Sequence, residues 1–403
     1  MDPETLSLLL SRDGWALLGA LPPYDEDRAM ALAERLRREG IDPRLVAGAL
    51  TQSRLRAQGR AKFADFADGM LFTPTGLEQA TRLSVGARHA RRYQAAGCTL
   101  VADLTCGIGG DAMAMAALGL PVLACDVDEL TAAVATVNLR HFPDARVRHA
   151  DGLALDLAAE GVDGVFADPA RRTAQGRRTH DPGAYTPPLD SVLAVRGRVP
   201  SLGVKVGPAI PHGAVPADAE AQWVSVDGDV VEAGLWFGPL APDGPGRSAL
   251  VVRGATATTV RDSGDGPTRP PVGPLGSYLY EPDGAVIRAG LVGVVAEQVQ
   301  GRLLDATIAY VTSDALAPTD VATAYRVLDA LPFGLKRLRT ALRERGVGRL
   351  TIKKRGTAVV PEQLRRQLDL RGDAEATIVL TRVAGSQQVL VVEPVDHLGT
   401  GGS

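Results

Sequence analysis

The chain has 403 residues, with 44 Lys and Arg, 47 Asp and Glu, a formal net charge of −3 and 45 % hydrophobic residues. That length allows two or three domains of ~100–200 residues, and balanced charge with ordinary apolar content excludes disorder as the main state. Three cysteines (Cys98, Cys106, Cys125) are too few, and odd in number, for a disulfide scaffold, which suits a reducing cytoplasm. The N-terminal segment has no basic residues ahead of its apolar run, and no apolar run reaches ~18 residues. Neither a secretory signal nor a membrane span is expected.

In chain order, residues 1–62 read as helices, with Leu6, Leu9, Leu10 and Leu17 at helical spacing and Asp42-Pro43 as a cap followed by a first-turn proline. This segment is either a packing module or a substrate-gripping extension helped by Arg54, Arg56, Arg60 and Lys62. Residues 73–97 look like one helix opened by Thr73-Pro74. From 98 to 255, short apolar strands (VADL, VLACDV, VRHAD, GVFADP, LGVKV, QWVSV, ALVVRG) alternate at first with helices over 110–119 and 129–141. That alternation predicts an α/β fold with a mostly parallel sheet, and the later, closely spaced strands predict an antiparallel ending. Gly, Pro and Asp dominate 241–275, which reads as a surface excursion. Beyond it the predicted order is helix (285–300), helix (320–330), helix (335–345), strand (349–354), helix (361–369), strand (375–383), strand (387–393).

The densest signal is VADLTCGIGGD, 101–111. A strand ends at Asp103 and a turn containing Gly107, Gly109 and Gly110 opens a helix, so the backbone can approach a ligand closely. Asp126 ends the second strand 23 residues later and can accept from ribose hydroxyls. Asp151 and Asp168 end the third and fourth strands, which puts four aspartates at the sheet edge where open α/β folds bind ligands. The turn also satisfies G-x-G-x-x-A, the dinucleotide pattern, so NAD is an alternative. Asp103 before the turn (for a methionine amino group), Asp151 (for an adenine amino group) and the proline of ADPAR favour S-adenosylmethionine. No His, Cys and Asp spacing matches a metal site, and His180 and His212 read as loop residues.

These residues, DLTCGIGGD, CDVD, Asp151-Gly152 and DPARR, resemble class I S-adenosylmethionine-dependent methyltransferases. FTPTGLEQA (72–80), YEPDGAVIRAG (280–290) and IKKRG (352–356) resemble, more narrowly, bacterial methyltransferases with a THUMP-like C-terminal domain, and 72–170 is similar to trimethylguanosine synthase. The resemblance implies a Rossmann-like methyltransferase sheet with an N-terminal helical extension (1–72), a methyltransferase domain (73–255), a linker (256–275) and a small α+β THUMP-like domain (276–396). It implies that Asp103, Thr105, Gly107 and Gly109 surround the methionine part of the cofactor, that Asp126 and Val127 serve the ribose side, and that Asp151 and Gly152 lie near the adenine. Asp168, Pro169 and Arg171 would face the acceptor, with Phe72, Arg172 and Tyr185 as substrate contacts.

The acceptor segment departs from the amino-methyltransferase pattern, because Arg171 stands where an aromatic residue is common. Asp-Pro-x-Arg also resembles the uridine C5-methyltransferases, but these use a cysteine after the motif and the last cysteine here, Cys125, precedes it. Direct transfer to nitrogen or oxygen remains, with Asp168 binding or deprotonating the acceptor. Arg171, Arg172, Arg177 and Arg178 suggest a phosphate-bearing substrate, and Lys205 is either a pocket cation or a snorkelling strand end.

Residues 333–372 hold twelve bases against three acids, a net of +9 that leaves −12 on the remainder. This is an electrostatic footprint for a polyanion, and with Phe333 the lone aromatic, shape and phosphate contact with structured RNA such as tRNA or rRNA is expected, through Lys353, Lys354 and Arg355 among others. The leading expectation is a cytoplasmic RNA methyltransferase needing no metal and no membrane. The alternatives are a small-molecule or protein methyltransferase, and a non-catalytic RNA-binding protein with a cofactor-binding scaffold.

Overall fold

The computed structural model describes residues 1–171, 181–262 and 270–395. Contacts divide the chain into two units, Met1–Val206 with Leu235–Gly244, and Gly207–Gly234 with Pro245–Ser403. Among the described residues no helix is long and apolar enough to cross a membrane.

Local caps start the N-terminal helices. Asp2 opens α1 (Pro3–Leu10), Ser11 opens α2 (Arg12–Ala20) and Asp25 opens α3 (Glu26–Arg38). Asp42 accepts the N–H groups of Arg44 and Leu45 at 2.8 and 3.0 Å to start α4 (Pro43–Phe63). One apolar cluster runs from Leu6, Leu9 and Leu55 of these helices to Val101, Val122 and Phe166 of the sheet, so residues 1–62 are part of the same core.

Thr73 caps α5 (Pro74–Gln79) as its sequence suggests, but the single helix expected over 73–97 is two. The chain leaves helical geometry after Gln79 and resumes in α6 (Leu83–Ala95). The reason is tertiary. The Lys62 ammonium donates to the carbonyls of Leu77, Glu78 and Ala80 at 2.7–2.8 Å, which caps α5, and the freed Thr81 turns its hydroxyl inward. Burial, with the charges of Lys205 and Arg82, lowers Lys62 to about 8.

The α/β expectation holds for β1 (Val101–Asp103), α7 (Gly110–Ala117), β2 (Val122–Asp126), α8 (Glu129–Leu139), β3 (Ala145–His149), β4 (Gly164–Ala167), α9 (Leu189–Leu193) and β5 (Ser201–Val206). The strands pair in parallel in the order β3-β2-β1-β4-β5. Order reverses between β1 and β4, where Asp103 pairs with Phe166, and the loops leaving these two strands diverge into a crevice. Buried Asn138 of α8 braces one wall. Its side chain accepts the Leu71 N–H at 2.7 Å and donates to the Leu71 and Ile108 carbonyls at 3.0 and 2.9 Å.

The second unit begins with β6 (Glu220–Val226) and, after the two-residue turn Asp227-Gly228, β7 (Asp229–Trp236), whose last two residues belong to the first unit. Then come β8 (Gly246–Arg253) and β9 (Thr256–Arg261). β6 pairs β8 in parallel and β8 pairs β9 antiparallel, so the expected antiparallel ending is mixed. The Gly- and Pro-rich span therefore holds two strands, and the part read as a linker opens with β9; residues 263–269 lie outside the described residues. A seven-stranded sheet follows in the order β11-β12-β10-β13-β16-β15-β14, built from β10 (Tyr278–Pro282), β11 (Arg302–Asp305), β12 (Ile308–Ser313), β13 (Ala322–Pro332), β14 (Val347–Lys354), β15 (Ala374–Val383) and β16 (Ser386–Pro394). Its helices are α10 (Gly284–Ala289), α11 (Val292–Gln298), α12 (Leu335–Glu344) and α13 (Pro361–Leu368). Leu338, Leu342, Leu364 and Leu368 of the last two pack on Ile378, Leu380, Val389 and Val391. The helix expected over 320–330 is instead β13, because both its edges are hydrogen-bonded, to β10 from Pro282 to Tyr278 and to β16 from Pro394 to Gln388.

Replacing Asn138 with Ala leaves three buried backbone groups unpaired and should lower unfolding free energy by about 2–4 kcal/mol, read from a urea titration of the full chain.

Candidate active site

A cleft of about 400 Å³ opens at the carboxyl ends of β1, β2 and β4. Its walls include Asp103, Gly107, Asp126, Val127, Asp151 and Asp168, together with Ala80 and Thr81 from the break between α5 and α6. Thus every strand-end aspartate anticipated from the sequence reaches one cavity. Gly107 and Gly109 adopt φ of 55° and 88°, the left-handed region that disfavours a side chain, and this bends the chain into α7. Gly152 is required by proximity, since a Cβ there would lie 2.6 Å from the Leu104 carbonyl oxygen.

The carboxylates differ in their surroundings. Asp103 is 1 % exposed, and its side-chain partner among the described residues is the Thr105 N–H at 3.2 Å. Burial, reinforced by the charge of Asp111, raises its pKa well above the usual carboxylate range. Asp126 accepts from the N–H groups of Gly107 at 3.0 Å and Asp128 at 2.9 Å; burial outweighs these bonds and raises it. A carboxylate has about four acceptor positions, so both oxygens of Asp126 retain capacity. Asp151 is exposed and accepts the Leu153 N–H at 2.9 Å. Val127 is 66 % exposed, an apolar surface at the cleft margin.

Asp168 follows β4. Its N–H donates to Thr105 Oγ1 at 2.7 Å, which ties the segment after β4 to the glycine turn. Its Oδ2 accepts from Lys205 Nζ at 2.6 Å. Burial raises the Asp168 pKa, and the Lys205 charge and hydrogen bond oppose it. Lys205 is not a strand end reaching for solvent: it is 6 % exposed and bonds to two residues of the cleft wall, donating to Thr81 Oγ1 at 2.9 Å as well as to Asp168. Thr81 donates to Asp111 Oδ2 at 2.6 Å, and His89 Nδ1 lies 2.9 Å from Asp111 Oδ1. Burial pushes Asp111 up, but the hydrogen bond and charge of His89, with Lys205 and Thr81, leave it lowered. Thr81, His89 and the side chain of Asp111 have no sequence signature, since they converge from separate elements.

Other expected residues stand elsewhere. Phe72 offers no stacking face: its ring is fully buried, 5.7 Å from Phe63, and its backbone is held by Gln52 at 2.8 and 2.9 Å. The Tyr185 ring is also buried, at 3 % exposure, although neighbouring Thr186 and Pro187 line the cleft. Pro169 is buried and Arg171 half-buried. Arg172, Arg177, Arg178 and His180 lie outside the described residues. In the second unit, His212 is held between the Arg288 carbonyl at 2.6 Å and Arg247 at 3.0 Å. Lys353 donates to Glu281 at 2.6 Å, Arg355 lies 3.9 Å from the same carboxylate, and Lys354 donates to the Val359 carbonyl at 2.9 Å. Much of the +9 charge is likewise paired, Arg345 with Asp329 and Arg349 with Glu375, both at 2.6 Å. Among the described residues, Lys336, Arg337 and Arg366 are exposed and carry no side-chain partner.

Two curated proteins of Mycobacterium tuberculosis, strains CDC 1551 and H37Rv, are each named an uncharacterized S-adenosylmethionine-dependent methyltransferase. Each is 36 % identical to this chain over 327 residues, covering 78 % of this chain and 86 % of theirs. The chain belongs to the S-adenosylmethionine-dependent methyltransferases. Residues 322–394 of this methyltransferase match the family described as THUMP domain-like, and residues 2–59 match a domain of unknown function (DUF8688). A crystal structure from Porphyromonas gingivalis W83, named as a methyltransferase, shares the fold with a TM-score of 0.70 at 20 % identity, over 92 % of this chain and 99 % of that one. The cleft suits the cofactor chemically: a buried, under-bonded carboxyl complements an ammonium group, Asp126 has acceptors to spare for a diol, and Val127 offers an apolar margin.

The unfolded chain ionises Asp103 near ~3.9, whereas the folded chain keeps its proton to much higher pH. Stability from the protonated form is therefore present below the unfolded value and lost as pH rises through the folded one. Asp103→Asn stays neutral, so thermal unfolding from about pH 4 to about pH 9 should show the variant gaining on wild type as pH rises.

Proposed function

We propose that this methyltransferase transfers a methyl group directly to a nitrogen or oxygen of a nucleotide in structured RNA, such as tRNA or rRNA. The observation that carries the transfer is Asp168, a carboxylate at the carboxyl end of β4, in the same cleft as the glycine turn and gripped by Lys205 at 2.6 Å. Bound S-adenosylmethionine supplies an electrophilic methyl group. In this reading Asp103, as its carboxylate, accepts from the cofactor's ammonium group. Thr105, Gly107 and Gly109 shape the methionine side, Asp126 and Val127 take the ribose side, and Asp151 with Gly152 borders the adenine. Asp168 orients the acceptor and takes the proton it loses, and positioning supplies much of the rate. Pro169 and Arg171 complete the acceptor side.

A cysteine nucleophile is disfavoured by the thiols themselves. Burial raises Cys98 and Cys106 and pushes Cys125 up to about 12, so none is a ready thiolate. RNA as substrate is supported by the match to the THUMP domain-like family and by the open cations Lys336, Arg337 and Arg366. The three free cysteines support a cytoplasmic location.

The test is methyl transfer from labelled S-adenosylmethionine to fractionated tRNA, rRNA and protein from cells lacking this protein. Label is expected in one RNA fraction, and label confined to protein or small molecules would refute RNA as the substrate. Asp168→Ala should keep S-adenosylhomocysteine binding by calorimetry while losing transfer by about 10²–10⁴-fold, whereas Asp126→Ala should lose the binding itself. Lys336→Glu with Arg337→Glu should weaken RNA binding and reduce the slope of log affinity against log salt by about 2.

A further inference from the structure

Five polar side chains of the first unit form one unbroken chain of hydrogen bonds: Asp168, Lys205, Thr81, Asp111 and His89. The direction of each bond follows from chemistry. An ammonium only donates, so Thr81 Oγ1 accepts from Lys205 and must spend its single proton on Asp111 Oδ2. Ionised Asp111 only accepts, so His89 Nδ1 carries a proton and donates to Oδ1. The His89 ring is wedged 5.4 Å from the ring of Phe166 and 5.3 Å from that of Trp236, which fixes the far end. Lys205 has a side chain only 7 % exposed, where an ammonium without good partners is strongly disfavoured. Thr81 lies in the non-helical stretch between Gln79 and Leu83.

We infer that Lys205 is a positioning residue for Asp168, and that Thr81, Asp111 and His89 hold Lys205 in turn, so that Oδ2 of Asp168 is fixed and Oδ1 is left for the acceptor. The break between α5 and α6 is then a functional feature, since a continuous helix would withdraw Thr81. Lys205 does not touch the acceptor in this arrangement. It sets the orientation and the ionised state of the carboxylate that does. The inference rests on the reading of this cleft as the transfer site.

The charged groups facing Asp168 are Lys205 from β5, Asp111 from α7, Asp103 from β1 and Arg171 of its own loop. Removing the one buried cation among them should leave two carboxyls, Asp111 and Asp103, to disfavour its ionisation. Difference infrared spectroscopy of the full chain across pH reads this directly, with Asp168→Asn identifying the Asp168 band. Lys205→Met should raise the Asp168 midpoint by about 1–3 pH units. Lys205→Arg, which keeps the charge, should restore most of it. Thr81→Val, nearly isosteric and lacking the hydroxyl, should move the midpoint the same way by less, and it is the variant to read should Lys205→Met not fold. An unchanged midpoint in Lys205→Met, or in Thr81→Val where that variant is used, overturns the inference. No acceptor is present in this measurement, so a failure to methylate RNA and a failure of this inference are separate results.

Discussion

The 2.7 Å hydrogen bond from the Asp168 N–H to Thr105 Oγ1 joins the ends of β1 and β4 at the point where strand order reverses. Two loops that would otherwise diverge freely are pinned together there. The glycine turn lies on one side of that bond and the segment after β4 on the other, so the turn and the Asp168 carboxylate are held at a fixed spacing. Methyl transfer depends on such spacing, because the reaction asks for alignment and little else of the protein.

Five carboxyl groups line this small cleft; Asp151 is exposed, and among the other four, drawn at least partly out of water, like charges so close cannot all persist unaided. Each is handled differently. Burial favours the neutral form of Asp103, Asp111 is matched to His89 and Thr81, Asp168 is matched to Lys205, and Asp126 is offset by two backbone N–H groups. The apolar surroundings that raise Asp103 also strengthen the Lys205–Asp168 attraction, since both follow from exclusion of water. A positive charge beside Asp103 would oppose the effect of burial and favour its ionised form.

In the second unit, counting charges and reading contacts give different pictures. The stretch from 333 to 372 is strongly basic as a sequence, yet its cations are largely paired with Glu281, Asp329, Asp369 and Glu375 or with backbone carbonyls. Three of those acids lie outside the stretch. What remains open is a smaller surface on α12 and α13, whose apolar sides are committed to the sheet. Exposed cations without partners attract a polyanion without first breaking an ion pair, so Lys336, Arg337 and Arg366 carry more weight than IKKRG.

Capping residues, the glycine turn and the strand-end aspartates were legible in the amino-acid sequence, because each acts on neighbours a few residues away. Asp42 and Thr73 cap the helices that follow them, and Asp103, Asp126, Asp151 and Asp168 meet at one edge because parallel strands end together. By itself, then, the sequence determined the α/β class, the sheet edge at which the cleft opens and the cofactor. Tertiary structure alone decided that 80–82 is not helical, that 322–332 is a strand, that Phe72 is core, and that Lys205 serves Asp168. The physical reason is distance along the chain. Thr81 and Lys205 are 124 residues apart, and the hydrogen bond between them exists only once two remote segments have packed together.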